Sequence, residues 1–90
     1  MAQVIVNPEE VRRFALQLKA GNAQLMDLTT RLRGQFGSLG ETWRDQEYQR
    51  FAQEFEQTAR SLKQFMRLAD QYIPYLERKA EAAQRFLDQR

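Results

Sequence analysis

From Tyr48 to Leu87 the chain repeats one pattern, and that pattern leaves little freedom in how it folds. Tyr48, Ala52, Phe55, Ala59, Leu62, Met66, Ala69, Ile73, Leu76, Ala80, Ala83 and Leu87 follow one another at alternating spacings of four and three, with no polar interruption. A strand would need a period of two. A period near 3.5 is the seam of a helix packed lengthwise along another helix. Pro74 lies inside the seam, where it removes a backbone hydrogen bond and crowds the carbonyl of Asp70. The heptad phase is unchanged across it, so the spacing predicts a kinked but continuous helix over about 42–88.

The first third of the chain supplies the partner. Asn7 can cap free N–H groups, Pro8 fits a first turn, and Glu9 and Glu10 face the positive end of the helix dipole. Val11, Phe14, Leu18, Gly21, Leu25, Leu28 and Leu32 then recur at threes and fours, which predicts a first helix over about 8–36. Gly21 is the one gap in that row, a place where another chain can come close. Gly34, Gly37 and Gly40 with Ser38 mark the break, so the turn is expected at about 37–41. Ser38 with Glu41 and Thr42 with Asp45 are overlapping capping boxes for the second helix, and Trp43 falls at its start. The fold expected is all-α, an antiparallel two-helix hairpin forming a single domain over 1–90.

Composition removes most other classes. With 0 His and 0 Cys there is no disulfide, no thiolate and no imidazole, hence no metal centre, cofactor or catalytic residue to nominate. Glu47, Glu54 and Glu56 are a close acid group, but carboxylates at that spacing belong on a solvated helix face. The reading is not an enzyme. The net charge of +2 is spread among interspersed signs, with no Lys/Arg run beyond two residues, which argues against nucleic acid. No apolar stretch is long enough to span a membrane, and Met1–Val6 lacks the basic flank and cleavage site of an export signal.

Function is read from surplus apolar surface. A hairpin pivoting near Leu39 pairs Val11 with the region of Ala69, so Ile73, Leu76, Ala80, Ala83 and Leu87 are expected to outreach helix 1, leaving only Val4, Ile5 and Val6 to cover a turn or two. Phe51, Phe65, Tyr72 and Phe86 share one flanking heptad position and widen the apolar face beyond what two helices need. Phe51, Phe65, Tyr72, Ile73, Leu76, Phe86 and Leu87 are therefore the expected interface with another chain, either a second copy or a related hairpin, in a four-helix bundle. An unrelated structural coiled-coil or bundle subunit is the alternative, and it predicts a straight, extended, parallel coiled coil.

The opening Ile5-Val6-Asn7-Pro8-Glu9-Glu10, the central Trp43 followed by Phe51, and the hairpin pattern resemble the WXG family of ESAT-like type VII secretion substrates. The resemblance spans nearly the whole chain and identifies Trp43, Asp45 and Phe51 as its turn motif, with Trp43-Arg44-Asp45 standing where the family has Trp-X-Gly. It implies dimeric helical hairpins that leave the cell without a cleaved leader through a secretion machine, as substrates or as adaptors escorting a secreted effector; without it the expected location is cytoplasmic. The family's carboxyl-terminal signal, a Tyr with an acid four residues later, has no counterpart here, since Tyr72 is followed by Leu76 and Tyr75 by Lys79.

Overall fold

The computed structural model describes residues 6–89. Two helices, α1 (Pro8–Leu39) and α2 (Gln46–Asp88), run antiparallel in a rod of 68 × 17 × 15 Å. Asn7 caps α1 as its residue type suggests, its side chain accepting from the N–H groups of Glu9 at 3.0 Å and Glu10 at 3.3 Å. α2 is one continuous helix through Pro74.

The turn lies later than the glycines suggest. Helix α1 runs three residues past the expected end, and α2 begins at Gln46 rather than about 42. Gly37 and Ser38 stay helical, and the Ser38 hydroxyl donates back to the Gly34 carbonyl at 3.2 Å instead of capping α2. Asp45 is itself the cap of α2, its carboxylate accepting from the Tyr48 N–H at 3.0 Å. Neither expected capping box forms. Gly40 ends α1 at a φ of −63°, so its glycine serves space: a Cβ there would lie 2.6 Å from the Tyr48 hydroxyl oxygen.

The later turn moves the pairing register. Asn22 meets Met66, and Arg33 meets Glu56, so both pairs centre on Arg44 and Asp45 rather than Leu39. Helix α1 consequently reaches farther along α2 than the sequence spacing suggests. The Arg12 guanidinium donates to the Gln84 side chain at 3.5 Å, Ala80 is 0% exposed, and Ile73, Leu76, Ala83 and Leu87 are all half-buried. The expected long overhang of α2 is thus corrected: α1 lies alongside Ile73, Leu76 and Ala80. Val6 borders the same surface groove as Val11 and Leu76, while Val4 and Ile5 lie outside the described residues.

The twelve seam positions of α2 are all buried or half-buried. Helix α1 is rotated from the expected seam. Its buried residues are Pro8, Ala15 and Asn22, seven apart, with Thr29 and Phe36 half-buried in the same row. Phe14, Leu28 and Leu32 of the expected seam are exposed, and Val11, Leu18 and Leu25 are half-buried. The reason is size. Long antiparallel helices close most tightly where side chains are small, and the buried apolar residues here are Ala15, Ala59, Met66, Ala69 and Ala80. Among the described residues no large side chain is fully enclosed.

Candidate interaction face

Heptad geometry gives the hairpin two long flanks, one on each side of its small-residue seam. On the first, α1 presents Val11, Leu18, Leu25, Leu32 and Leu39, and outside them Phe14, Gly21 and Leu28. Helix α2 adds Phe51, Phe65, Tyr72 and Phe86, interrupted by Thr58 and Lys79. For antiparallel helices, the same sense of rotation from the seam leads both sets to the same side. The structure shows the convergence directly, since Phe65 lines one hollow with Phe14, Leu18, Leu25 and Leu28. Gly21 sits in that hollow with open space where a Cβ would be.

The second flank has the opposite chemistry. At mirrored heptad positions α1 carries Arg12, Lys19, Met26 and Arg33, while α2 carries Gln49, Glu56, Lys63, Asp70, Glu77 and Gln84. Cross-helix contacts here are polar: Arg33 and Glu56 pair at 3.3 Å with both side chains half-exposed, and Arg12 reaches Gln84. Such exposed pairs contribute little stability, but they identify this flank as the solvated one. Burying the remaining surface of a large aromatic contributes roughly 1–2 kcal/mol, so covering the first flank would gain more free energy than covering the second.

The seven expected interface residues divide into two groups. Phe51, Phe65, Tyr72 and Phe86 are each about half exposed and form the outer row. Ile73, Leu76 and Leu87 are half-buried in the seam of α2. Ile73 borders the polar flank with Ala15 and Leu16, and Leu76 borders Val11 and Phe14 on the apolar one. Phe14, Leu28 and Leu32 were missed as face residues because their spacing fits a seam equally well. The signal that separates the two is size: the neighbouring row of small and polar residues, Pro8, Ala15 and Asn22, was free to take the seam.

At the closed end an aromatic cluster joins the helices. Phe36 of α1 stacks on Tyr48 with ring centroids 5.0 Å apart and on Phe55 at 4.6 Å, and it meets Phe51 at 5.5 Å. Trp43, half-buried, meets Tyr48 edge-on at 5.4 Å and Phe51 at 6.3 Å. The Tyr48 hydroxyl donates to the Phe36 carbonyl at 3.3 Å. Thus Trp43 covers the tip through rings of α2, and α1's own contribution is Phe36, a residue the sequence pattern did not single out. Asp45 acts through the backbone, fixing the first turn of α2 beneath Trp43.

A polar contact lies midway along the seam. The Asn22 amide nitrogen donates to the Met66 carbonyl at 2.9 Å and to the Asp70 carboxylate at 3.0 Å, while its oxygen is buried without a partner. A buried amide that bonds at one alignment of two helices disfavours sliding to another.

This architecture has known counterparts. The crystal structure of the secreted protein EsxB of Bacillus anthracis strain Sterne aligns with a TM-score of 0.76 at 26% identity, covering 96% of this chain and 98% of that one. A single-substitution mutant of the same protein aligns at 0.75, covering 94% and 98%. The type VII secretion system extracellular protein A of Staphylococcus aureus strain USA300 is 26% identical over 84 residues, which is 93% of this chain and 87% of that protein. The family model of WXG100, proteins of 100 residues with WXG, matches residues 3–87. With the helical hairpin, the tryptophan at its turn and a match over almost the entire length, this chain belongs to the WXG100 family.

Proposed function

We propose that this protein is a non-enzymatic binding module whose apolar flank pairs with a second helical hairpin, its own copy or a relative, to form a four-helix bundle. One observation carries the reading: the most buried apolar residues between the helices are four alanines and Met66, while the large side chains Phe14, Leu28, Phe65 and Tyr72 stand about half-exposed along one side. An isolated hairpin gains little from aromatics in that position. A bundle gains most of its core from them. Phe65, midway along the face beside the Gly21 hollow, is the central anchor, with Phe51, Tyr72 and Phe86 along the same row.

The family and the Staphylococcus aureus relative, named as an extracellular protein of a type VII secretion system, support a role as a substrate of such a system or as an adaptor escorting one. The corresponding location is outside the cell. Of the alternative, a structural coiled-coil or bundle subunit unrelated to secretion, the extended parallel form has no support from a chain that turns back on itself between Leu39 and Gln46, and the family membership favours the secretion role over the bundle form.

Light scattering on the eluting full-length chain tests the binding role. The expected result is a mass of two chains when the protein is alone, or of two hairpins once its relative is added. A monodisperse single chain at micromolar concentration, unchanged by adding that relative, would refute it.

A further inference from the structure

We propose a second docking site on the opposite flank, at the open end of the hairpin, fitted to an amphipathic helix that carries acids along one edge and bases along the other. A groove there is based on buried Ala15 and half-buried Ile73, and Leu16 stands on its α1 rim at 68% exposure, the highest of any large apolar side chain described. Its two sides differ in sign. Helix α1 contributes Arg12 and Lys19; α2 contributes Glu77, Glu81 and Asp88, with only Arg85 among them, already paired to Glu81 at 3.3 Å.

Charges of opposite sign across so narrow a groove would ordinarily pair with each other. Among the described residues Lys19 and Glu77 have no ion-pair partner within 4.0 Å, and Arg12 reaches only the neutral Gln84. The groove holds the two signs apart, above an apolar base. An occupant that bridges them needs an aliphatic stripe to lie on Ala15, Leu16 and Ile73, carboxylates on the side of Arg12 and Lys19, and ammonium or guanidinium groups on the side of Glu77. A helix supplies all three, because residues three and four apart share a face while its two edges vary independently. The α1 wall from Arg12 to Lys19 runs about 10 Å and the α2 wall from Ile73 to Asp88 about 22 Å, so an occupying helix meets both walls over roughly two turns and α2 alone beyond them.

This site shares no face with the apolar flank, so a bundle formed there leaves it open. A paired hairpin would then carry a further chain through charge-selected contacts while its own pairing stays apolar. Electrostatic matching of this kind selects partners more than it adds raw affinity.

Three synthetic helices of about 14 residues with the same leucine stripe test the proposal by fluorescence anisotropy on the full-length protein. One has Glu on one edge and Lys on the other; one has Glu on both edges; one has Lys on both. The mixed helix is expected to bind about tenfold more tightly than either of the others at low salt. The double variant Arg12→Glu with Lys19→Glu, which makes both sides acidic, should transfer that preference to the Lys-edged helix. Leu16→Asp should weaken all three while helicity and the scattering mass of the protein stay unchanged. Equal affinity for the three helices, no binding of the mixed helix up to millimolar concentration, or indifference to the double variant would overturn the site. So would growth of the protein alone into higher oligomers that Leu16→Asp abolishes, because a second copy would then be its occupant.

Discussion

The two flanks of this hairpin are built from the same pair of helices on the same seven-residue repeat, yet one is lined by Phe14, Leu28, Phe65 and Tyr72 and the other by Arg12, Lys19, Lys63 and Glu77. The seam between them belongs to neither. Its alanines and Asn22 let the helices close, with Met66 buried and Phe55, Leu62, Ile73 and Leu76 half-buried among them. Around Phe65 the two roles divide by size: Ala15, Ala59 and Ala69 with Met66 are buried between the helices, while Phe14, Leu28, Phe65 and Tyr72 stand where another chain can reach them.

That contrast is broken most directly by placing one charge on each flank at the same level of the rod. Phe65→Glu puts an unpaired carboxylate at the middle of the apolar face, and association should weaken by on the order of a hundredfold, as loss of a central aromatic anchor does. Helicity of the separated hairpin should hold, because Phe65 is half-exposed there. Lys63→Glu, two residues away on the polar flank, should leave both mass and helicity unchanged. Sedimentation equilibrium of the pair checks the comparison, and equal behaviour of the two variants would dissolve it.

The seam should fail in the opposite way. Ala80→Leu adds volume where the site is 0% exposed, so overpacking should destabilise the hairpin itself by about 1–3 kcal/mol in urea unfolding. Enlarging a side chain on the apolar flank should cost far less. A gentler probe of the same seam is Asn22→Ala, which removes the bonds to Met66 and Asp70 but also the unpartnered oxygen. The net loss expected is about 1 kcal/mol, read as a lower unfolding midpoint at constant slope. A gain in stability would mean that the amide serves alignment alone, as buried polar groups in helix pairs sometimes do.

Helix α2 was legible residue by residue, because an uninterrupted apolar row from Tyr48 to Leu87 has only one face to bury. Helix α1 was legible as a helix but not in its rotation. Val11, Leu18 and Leu25 do face inward, but two rows flank them, one of Phe14, Gly21 and Leu28 and one of Pro8, Ala15 and Asn22; both satisfy the spacing, and hydrophobicity chooses the wrong one. The choice depends on how closely α2's alanines allow α1 to approach, a property of the pair that neither helix shows alone. The turn was misplaced for a local reason: glycines permit a break without demanding one, and Gly37 stays helical until Asp45 can cap the next helix. Moving the pivot from Leu39 to Arg44 and Asp45 was enough to remove the long overhang. The aromatic row Phe51, Phe65, Tyr72 and Phe86 survived that shift, since a row on the outside of a helix does not depend on where its partner ends.

Two glycines of α1 give the smallest and most discriminating test. Gly21 and Gly34 both sit inside the helix with open space where a Cβ would go, and neither has a positive φ. Replacing either by alanine should therefore stabilise the separated hairpin by up to about 1 kcal/mol through helix propensity. Their surroundings differ, for Gly34 points away from α2 toward solvent whereas Gly21 lies in the hollow beside Phe65. If a second hairpin covers the apolar flank, Gly34→Ala should raise the melting temperature at every protein concentration. Gly21→Ala should raise it only at dilution, where hairpins are apart, and should lose the advantage as concentration rises and an incoming side chain meets the new methyl. Parallel gains for the two variants across a hundredfold range of concentration would mean that nothing approaches α1 at Gly21, and the centre of the face would then lie nearer the tip, at Phe36, Trp43 and Phe51.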